Sequence, residues 1–215
     1  MRLPFSTKPF PRCSPSDGDG GERPASEARA TKVNRAMASG DAPIARPRGV
    51  SVRKATVRDV PAMARVINHW ASQGIMLPKS HHQLYQNIRD FTVATCGGEV
   101  VGCGALHVIW EDLAEVRSMA VVDGWHGKGI GRLVLAQLLD EARTLGLPHV
   151  FALTYRQSFF ERAGFVVVPH ETLPHKIWGD CLNCPKFPNC DEIAMTLDLS
   201  PSGAQEESEN EPQEE

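Results

Sequence analysis

Between positions 49 and 199 the hydrophobic residues recur at two different periods, and their alternation predicts a mixed α/β domain. A strand is expected at 50–53. Asp59 stands where it can N-cap a helix, with Pro61 in the first turn and Val60, Met63, Ala64, Ile67 and Ala71 along one face. Ser80 and Gln83 form a capping-box pattern ahead of a second helix carrying Leu84, Ile88 and Phe91. β-rich runs at 91–95 and 100–109 flank Gly97-Gly98 and read as a hairpin, and another strand follows at 114–122. Residues 130–145 are helical, with Ile130, Leu133, Val134, Leu138, Ala142 and Leu145 as the apolar stripe. A strand at 150–153, a short helix at 158–163 ended by Gly164, and strands at 165–168 and 193–197 complete the pattern. The order β, α, α, β, β, β, α, β, α, β, β contains no repeat and excludes a helical bundle or a sandwich.

The flanks carry no such periodicity. Residues 1–48 hold seven prolines and many Ser, Gly and Arg, a composition that buries too little surface to offset the entropy of ordering, so a disordered extension is expected. Its five acidic residues argue against an Arg-rich transit peptide, and Met37 is an alternative start. Residues 200–215 form an acidic tail with six Glu. The 215 residues therefore divide into 1–48, one domain at 49–199, and 200–215. Net charge is -3, but the domain itself carries fourteen basic and fifteen acidic residues, which gives no electrostatic reason to expect nucleic acid or an anionic membrane as partner. No stretch approaches the length of an apolar membrane span, and the N-terminus lacks a signal-peptide core, which points to the cytoplasm. A small-molecule substrate is the expected partner, with a homo-oligomer left open.

The chemistry concentrates at 115–165. A strand, EVRSMAVV, leads through DGWHGKGIGR directly into the long helix, so Gly127, Gly129 and Gly131 sit at a helix N-terminus. Backbone N–H groups there converge on one anion, and the helix dipole adds to the attraction, so the ligand should carry phosphate. The spacing is G-x-G-x-G, which departs from the dinucleotide fingerprint, and Lys128 is followed by Gly129 where a nucleotide P-loop needs Ser or Thr.

His126-x-x-Gly129-x-Gly131 after a strand, followed by Phe160-Glu161-Arg162-Ala163-Gly164-Phe165, resembles the signature of the GNAT family of N-acetyltransferases. The likeness covers roughly residues 50–199. It implies the GNAT acetyltransferase fold, an α/β domain whose mixed, mostly antiparallel sheet is splayed at the central strand and flanked by helices. It also implies acetyl-CoA as co-substrate, with its pyrophosphate on Gly127, Lys128, Gly129, Ile130, Gly131 and Arg132. The backbone of Met119, Ala120 and Val121 would bind the pantetheine arm and thioester. VVGCGALHVIW, EVRSMAVV and FALTYRQSFFERAGF are further similar to the short, single-domain bacterial N-acetylglutamate synthases, amino-acid acetyltransferases that open arginine biosynthesis. Larger members add an amino-acid kinase domain, for which this chain has no room.

Acetyl transfer from a thioester to an amine needs an amine freed of its proton, a polarised carbonyl and a proton for the departing thiolate. The resemblance makes Glu115 the general base, and strand periodicity puts it on one face with Arg117 and Met119. An acceptor with two carboxylates needs cations, for which Lys79, Arg117 and Lys176 are the candidates; Lys79 stands where the synthases usually carry Arg. Two departures from the family pattern are His126, where Arg or Gln is favoured, and Phe160, where many members carry a general-acid Tyr. Tyr155 is the nearby candidate for that role. Cys181, Cys184 and Cys190 form a late cluster, but a structural zinc site takes four ligands, so buried thiols are the simpler reading and zinc the alternative. The expected activity is acetylation of the α-amine of L-glutamate. Other amines (glutamine, a small metabolite, a protein N-terminus) and a non-catalytic acyl-CoA sensor are the alternatives.

Overall fold

The computed structural model describes residues 46–173 and 190–200. Among the described residues seven strands form one sheet: β1 (Val50–Lys54), β2 (Phe91–Cys96), β3 (Glu99–Trp110), β4 (Leu113–Val121), β5 (His149–Thr154), β6 (Val166–Val167) and β7 (Ile193–Asp198). Their order is β1-β2-β3-β4-β5-β7-β6. Only β4 and β5 pair in parallel, because α3 (Ile130–Thr144) is the crossover between them; tight hairpins or returns make every other pair antiparallel. α1 (Val60–Ala71) and α2 (His81–Gln86) connect β1 to β2, and α4 (Gln157–Glu161) follows β5. The expected α/β architecture is the one observed.

The two sheet faces have separate cores. α3 buries Ile130, Leu133, Val134, Leu138 and Ala142, at helical spacing, against Ala114 and Val116 of β4, Val150 and Ala152 of β5, and Met195 of β7. Each buried Val, Leu, Ile or Met side chain among them stabilises by about 1.5–3 kcal/mol, and Leu138, wholly buried, would cost about 2–5 kcal/mol if cut to Ala. On the other face α1 packs Val60, Met63 and Ile67 on Val93, Cys103 and Ala120.

Three local expectations are corrected. Leu145 lies outside the stripe and is 57% exposed, because α3 closes in a Schellman motif: Leu147 N–H donates to the Ala142 carbonyl, Gly146 N–H to Arg143, and the buried Leu147 makes the apolar contact instead. The second helix stops at Gln86, since Asn87 leaves helical geometry and its amide donates to the Gln83 carbonyl; Ile88 then falls in a 3-10 turn and Phe91 opens β2. Asp59 precedes α1, but its carboxylate turns back, accepting from Arg53 Nη1 and Nη2 (2.7 and 2.9 Å) and from Thr56 N (2.7 Å). Hydrogen bonding from Arg53, assisted by Thr56, draws its carboxyl down to about 2.

Candidate active site

β4 and β5 are in register over three residues only, Leu113 to Glu115 against His149 to Phe151. Beyond Glu115 they part, since β5 stays with β7 through Thr154 while β4 stays with β3 through Val121. Glu115 therefore stands at the apex of a wedge. The divergence is reinforced by a bulge: Cys103 pairs with Ala120 but Ala105 with Arg117, so Ser118 and Met119 together oppose Gly104. Ser118 takes a left-handed φ of 54°. Gly104 makes the bulge feasible, because a Cβ there would collide with Met119 Sδ and lie 3.0 Å from Val134.

The bulge overturns one expectation. Strand periodicity put Met119 on the face of Glu115 and Arg117, but the extra residue reverses the alternation, and Met119 and Val121 pack with the α3 core while Ala120 and Val122 join the α1 core. Glu115 and Arg117 stay together on the α1 side, with Arg117 Nη1 3.7 Å from Glu115 Oε2 and Arg117 Nη2 3.9 Å from Asp90 Oδ2. Asp90 in turn is 2.7 Å from His107 Nδ1, and His107 is the cross-strand partner of Glu115. Glu115 and Arg117 are thus held in a network with Asp90 and His107.

The wedge opens into a cleft of about 820 Å³, lined along one side by Met119, Ala120 and Val121 and at its end by Gly127, Gly129, Ile130, Gly131 and Arg132. Gly127 and Gly129 hold left-handed φ values of 74° and 79°, and Gly129 is the N-cap of α3, so the first amides of a fifteen-residue helix face the cleft. A Cβ on Gly131 would stand 3.2 Å from the Phe159 ring, which also lines the cleft. These features fit a coenzyme pyrophosphate and the strand-like arm attached to it. Lys128 is not among the lining residues; its ammonium lies 4.8 Å from the centre of the Trp125 ring.

His126 anchors main chain. The Val121 carbonyl, which can only accept, takes a hydrogen bond from Trp70 Nε1 at 2.9 Å and lies 3.1 Å from His126 Nε2, so that ring nitrogen carries the proton. The Trp70 and His126 rings meet edge to face at 5.2 Å. Sequence reasoning missed Trp70, whose only prior signal was an aromatic near the end of an amphipathic helix.

Lys79, Glu115, Arg117 and Tyr155 all line the same cleft. Tyr155 donates its hydroxyl to Asp191 Oδ1 at 2.6 Å. Phe160 is buried against Phe159 and Phe165. Lys176, Cys181 and Cys184 lie outside the described residues, whereas Cys190 lines the cleft. Among the described residues no group of three His, Cys, Asp or Glu side chains is placed to hold a metal, and no helix is long and apolar enough to cross a membrane. Burial pushes the Cys103 thiol up to about 12, so it stays protonated and is no nucleophile.

The site is thus a parallel strand pair that parts beside a bulged strand, above a glycine-cradled helix start. The acetyltransferase (GNAT) family model matches residues 64–165. An uncharacterized N-acetyltransferase of Chlorobaculum tepidum is 43% identical over 148 residues, covering 69% of this chain and 96% of that protein. The amino-acid acetyltransferase of Mycobacterium tuberculosis is 43% identical over 152 residues, 69% of this chain and 84% of that one. Among solved structures, N-acetylglutamate synthase from Neisseria gonorrhoeae, complexed with coenzyme A and N-acetyl-glutamate, superimposes with a TM-score of 0.66 at 28% identity, covering 73% of this chain and 37% of the synthase. The chain belongs to the GNAT acetyltransferase family. It is an acetyl-CoA-dependent N-acetyltransferase, as the sequence motifs led us to expect.

Proposed function

We propose that the protein transfers the acetyl group of acetyl-CoA to the α-amine of L-glutamate, the step that opens arginine biosynthesis, and that it does so in the cytoplasm. The observation that carries this reading is the acceptor end of the cleft, where Glu115 at the apex of the wedge is flanked by Arg117 and faces a cleft also lined by Lys79. A carboxylate base beside two cations suits an amino acid whose ammonium must lose a proton while its carboxylates are held. The relatives named amino-acid acetyltransferase support the same choice of acceptor class.

In this scheme Glu115 takes the proton of the acceptor ammonium, and the freed amine attacks the thioester carbonyl. The C–N bond forms, the C–S bond breaks, Tyr155 protonates the departing thiolate, and the second proton that the amine nitrogen loses as the amide forms returns to the Tyr155 oxygen. Transfer is direct. Met119 to Val121 and the Gly127–Arg132 loop hold the coenzyme, with Ile130 and Gly131 closing its phosphate end. Lys79, Arg117 and Lys176 hold the acceptor.

Steady-state kinetics with L-glutamate, L-glutamine and L-leucine test the assignment. Glutamate should have the highest kcat/KM, and Lys79→Ala should lower it roughly 10 to 150-fold through KM for glutamate, with KM for acetyl-CoA little changed. Equal kcat/KM for glutamate and leucine, unaffected by Lys79→Ala, would replace glutamate with a generic amine.

A further inference from the structure

The segment that carries Lys79 into the cleft has no regular structure of its own. It leaves α1 through bonds from Gln73 N–H and Ile75 N–H to the Trp70 carbonyl, and ends in the box formed by Ser80 and Gln83, where Ser80 N–H donates to Gln83 Oε1 at 2.8 Å. Ile75, Met76, Leu77 and Lys79 line the cleft between those two fixed points. Pro78, just before Lys79, has no N–H to add.

One side chain grips this segment next to the functional cation. Asn68, on the last full turn of α1, donates its amide Nδ2 to the Lys79 carbonyl at 2.9 Å and accepts the Lys79 N–H on Oδ1 at 3.0 Å. A carboxamide is the one short side-chain group that presents a donor and an acceptor side by side, so Asn68 pairs with Lys79 as a neighbouring strand would. Both bonds are partly buried. Asp would keep the acceptor and lose the donor, and Ala would lose both. The same turn of α1 carries Trp70, whose indole bonds the Val121 carbonyl on the coenzyme side. One helix end thereby holds the two walls of the cleft at a set separation.

We propose that Asn68 is the positioning residue for the acceptor: it fixes the Lys79 main chain so that the Lys79 ammonium meets the substrate carboxylate. The inference rests on the acceptor role given above to Lys79. Asn68 does not touch substrate, and its effect passes through Lys79.

A double-mutant cycle with Asn68→Ala, Lys79→Ala and the pair tests it, using the acetyl-CoA and L-glutamate assay, with thermal denaturation to confirm that each variant is folded. Asn68→Ala should raise KM for glutamate about 5 to 30-fold, leaving kcat within about twofold and KM for acetyl-CoA unchanged. In the Lys79→Ala background the same substitution should change KM less than twofold, because its route of action is already gone. Asn68→Asp, which keeps size and one bond, should also raise KM. Three results overturn the proposal: an unchanged KM in a folded Asn68→Ala protein that still responds to Lys79→Ala, fully additive effects in the pair, or a fall in kcat alone. If Lys79→Ala itself leaves KM unchanged, the acceptor role of Lys79 fails first and takes this inference with it.

Discussion

In the proposed scheme the donor half of the cleft is made mostly of main chain, and the acceptor half mostly of side chains. Along the donor wall the groups that would do the work are the main chain of Met119, Ala120 and Val121 and the glycines at 127, 129 and 131, where the absence of Cβ atoms leaves the amides open. The acceptor wall gathers Glu115 and Arg117 from β4, Lys79 from the segment between α1 and α2, and Tyr155 from the end of β5. A site built from backbone tolerates changes of side chain but not of space. A site built from side chains tolerates changes of space but not of charge, and its specificity can be altered one residue at a time.

Four measurements sharpen that contrast. The largest effect belongs to Gly131→Val, which directs a branched side chain towards Phe159 and into the cleft and should reduce acetyl-CoA affinity more than about 100-fold. Calorimetry showing wild-type affinity in the folded variant would remove the backbone account of the donor half. Glu115→Gln should lower kcat on the order of 10²-fold with acetyl-CoA affinity retained, and should lose an ionisation from the pH–rate profile. If its turnover and pH profile match wild type, the base lies elsewhere.

Gly104→Ala probes the bulge that shapes the donor wall. The new methyl must displace Met119 against Val134 and Leu138, at a cost of about 1–3 kcal/mol in unfolding free energy, and Gly104→Ala/Met119→Ala should recover part of the loss. Urea titration decides it; a neutral Gly104→Ala would mean that the bulge carries no tight packing. The smallest effect lies far from both halves. Asp59 ionises more readily folded than unfolded, so it contributes stability, about 2 kcal/mol, that is complete above about pH 5 and is lost as pH falls through 2. Asp59→Asn should therefore be less stable than wild type at pH 6, with the difference shrinking as pH falls through 2.

The same contrast decides what could be read from sequence. Gly127, Gly129 and Gly131 announce the turn into α3 because glycine spacing is itself the signal, and the stripe from Ile130 to Ala142 announces the helix behind it. Met119 was assigned to the wrong face because alternation assumes an unbroken strand, and a left-handed Ser118 has no mark in the sequence. Leu145 fits the helical period yet lies beyond the stop, where Gly146 and Leu147 close the helix. Asn68 and Trp70 act across eleven and fifty-one positions of sequence, distances over which no local pattern carries information.

The three-residue seam between β4 and β5 divides the sheet into two smaller sheets, β1 to β4 and β5 with β7 and β6, that share little hydrogen bonding and are held together from beneath by α3. The main chain of β4 past Arg117 thus has a strand on one side only. In the proposed scheme a bound coenzyme arm, itself a chain with two amides, would take up the missing neighbour's place and turn the two sheets into one. Its binding energy is then folding energy as well, about 2.7 kcal/mol when the coenzyme is present at a hundred times its Kd. Under that scheme the rate at which the centre of the sheet opens to proteases would fall as acetyl-CoA is added, which limited proteolysis with and without the coenzyme measures.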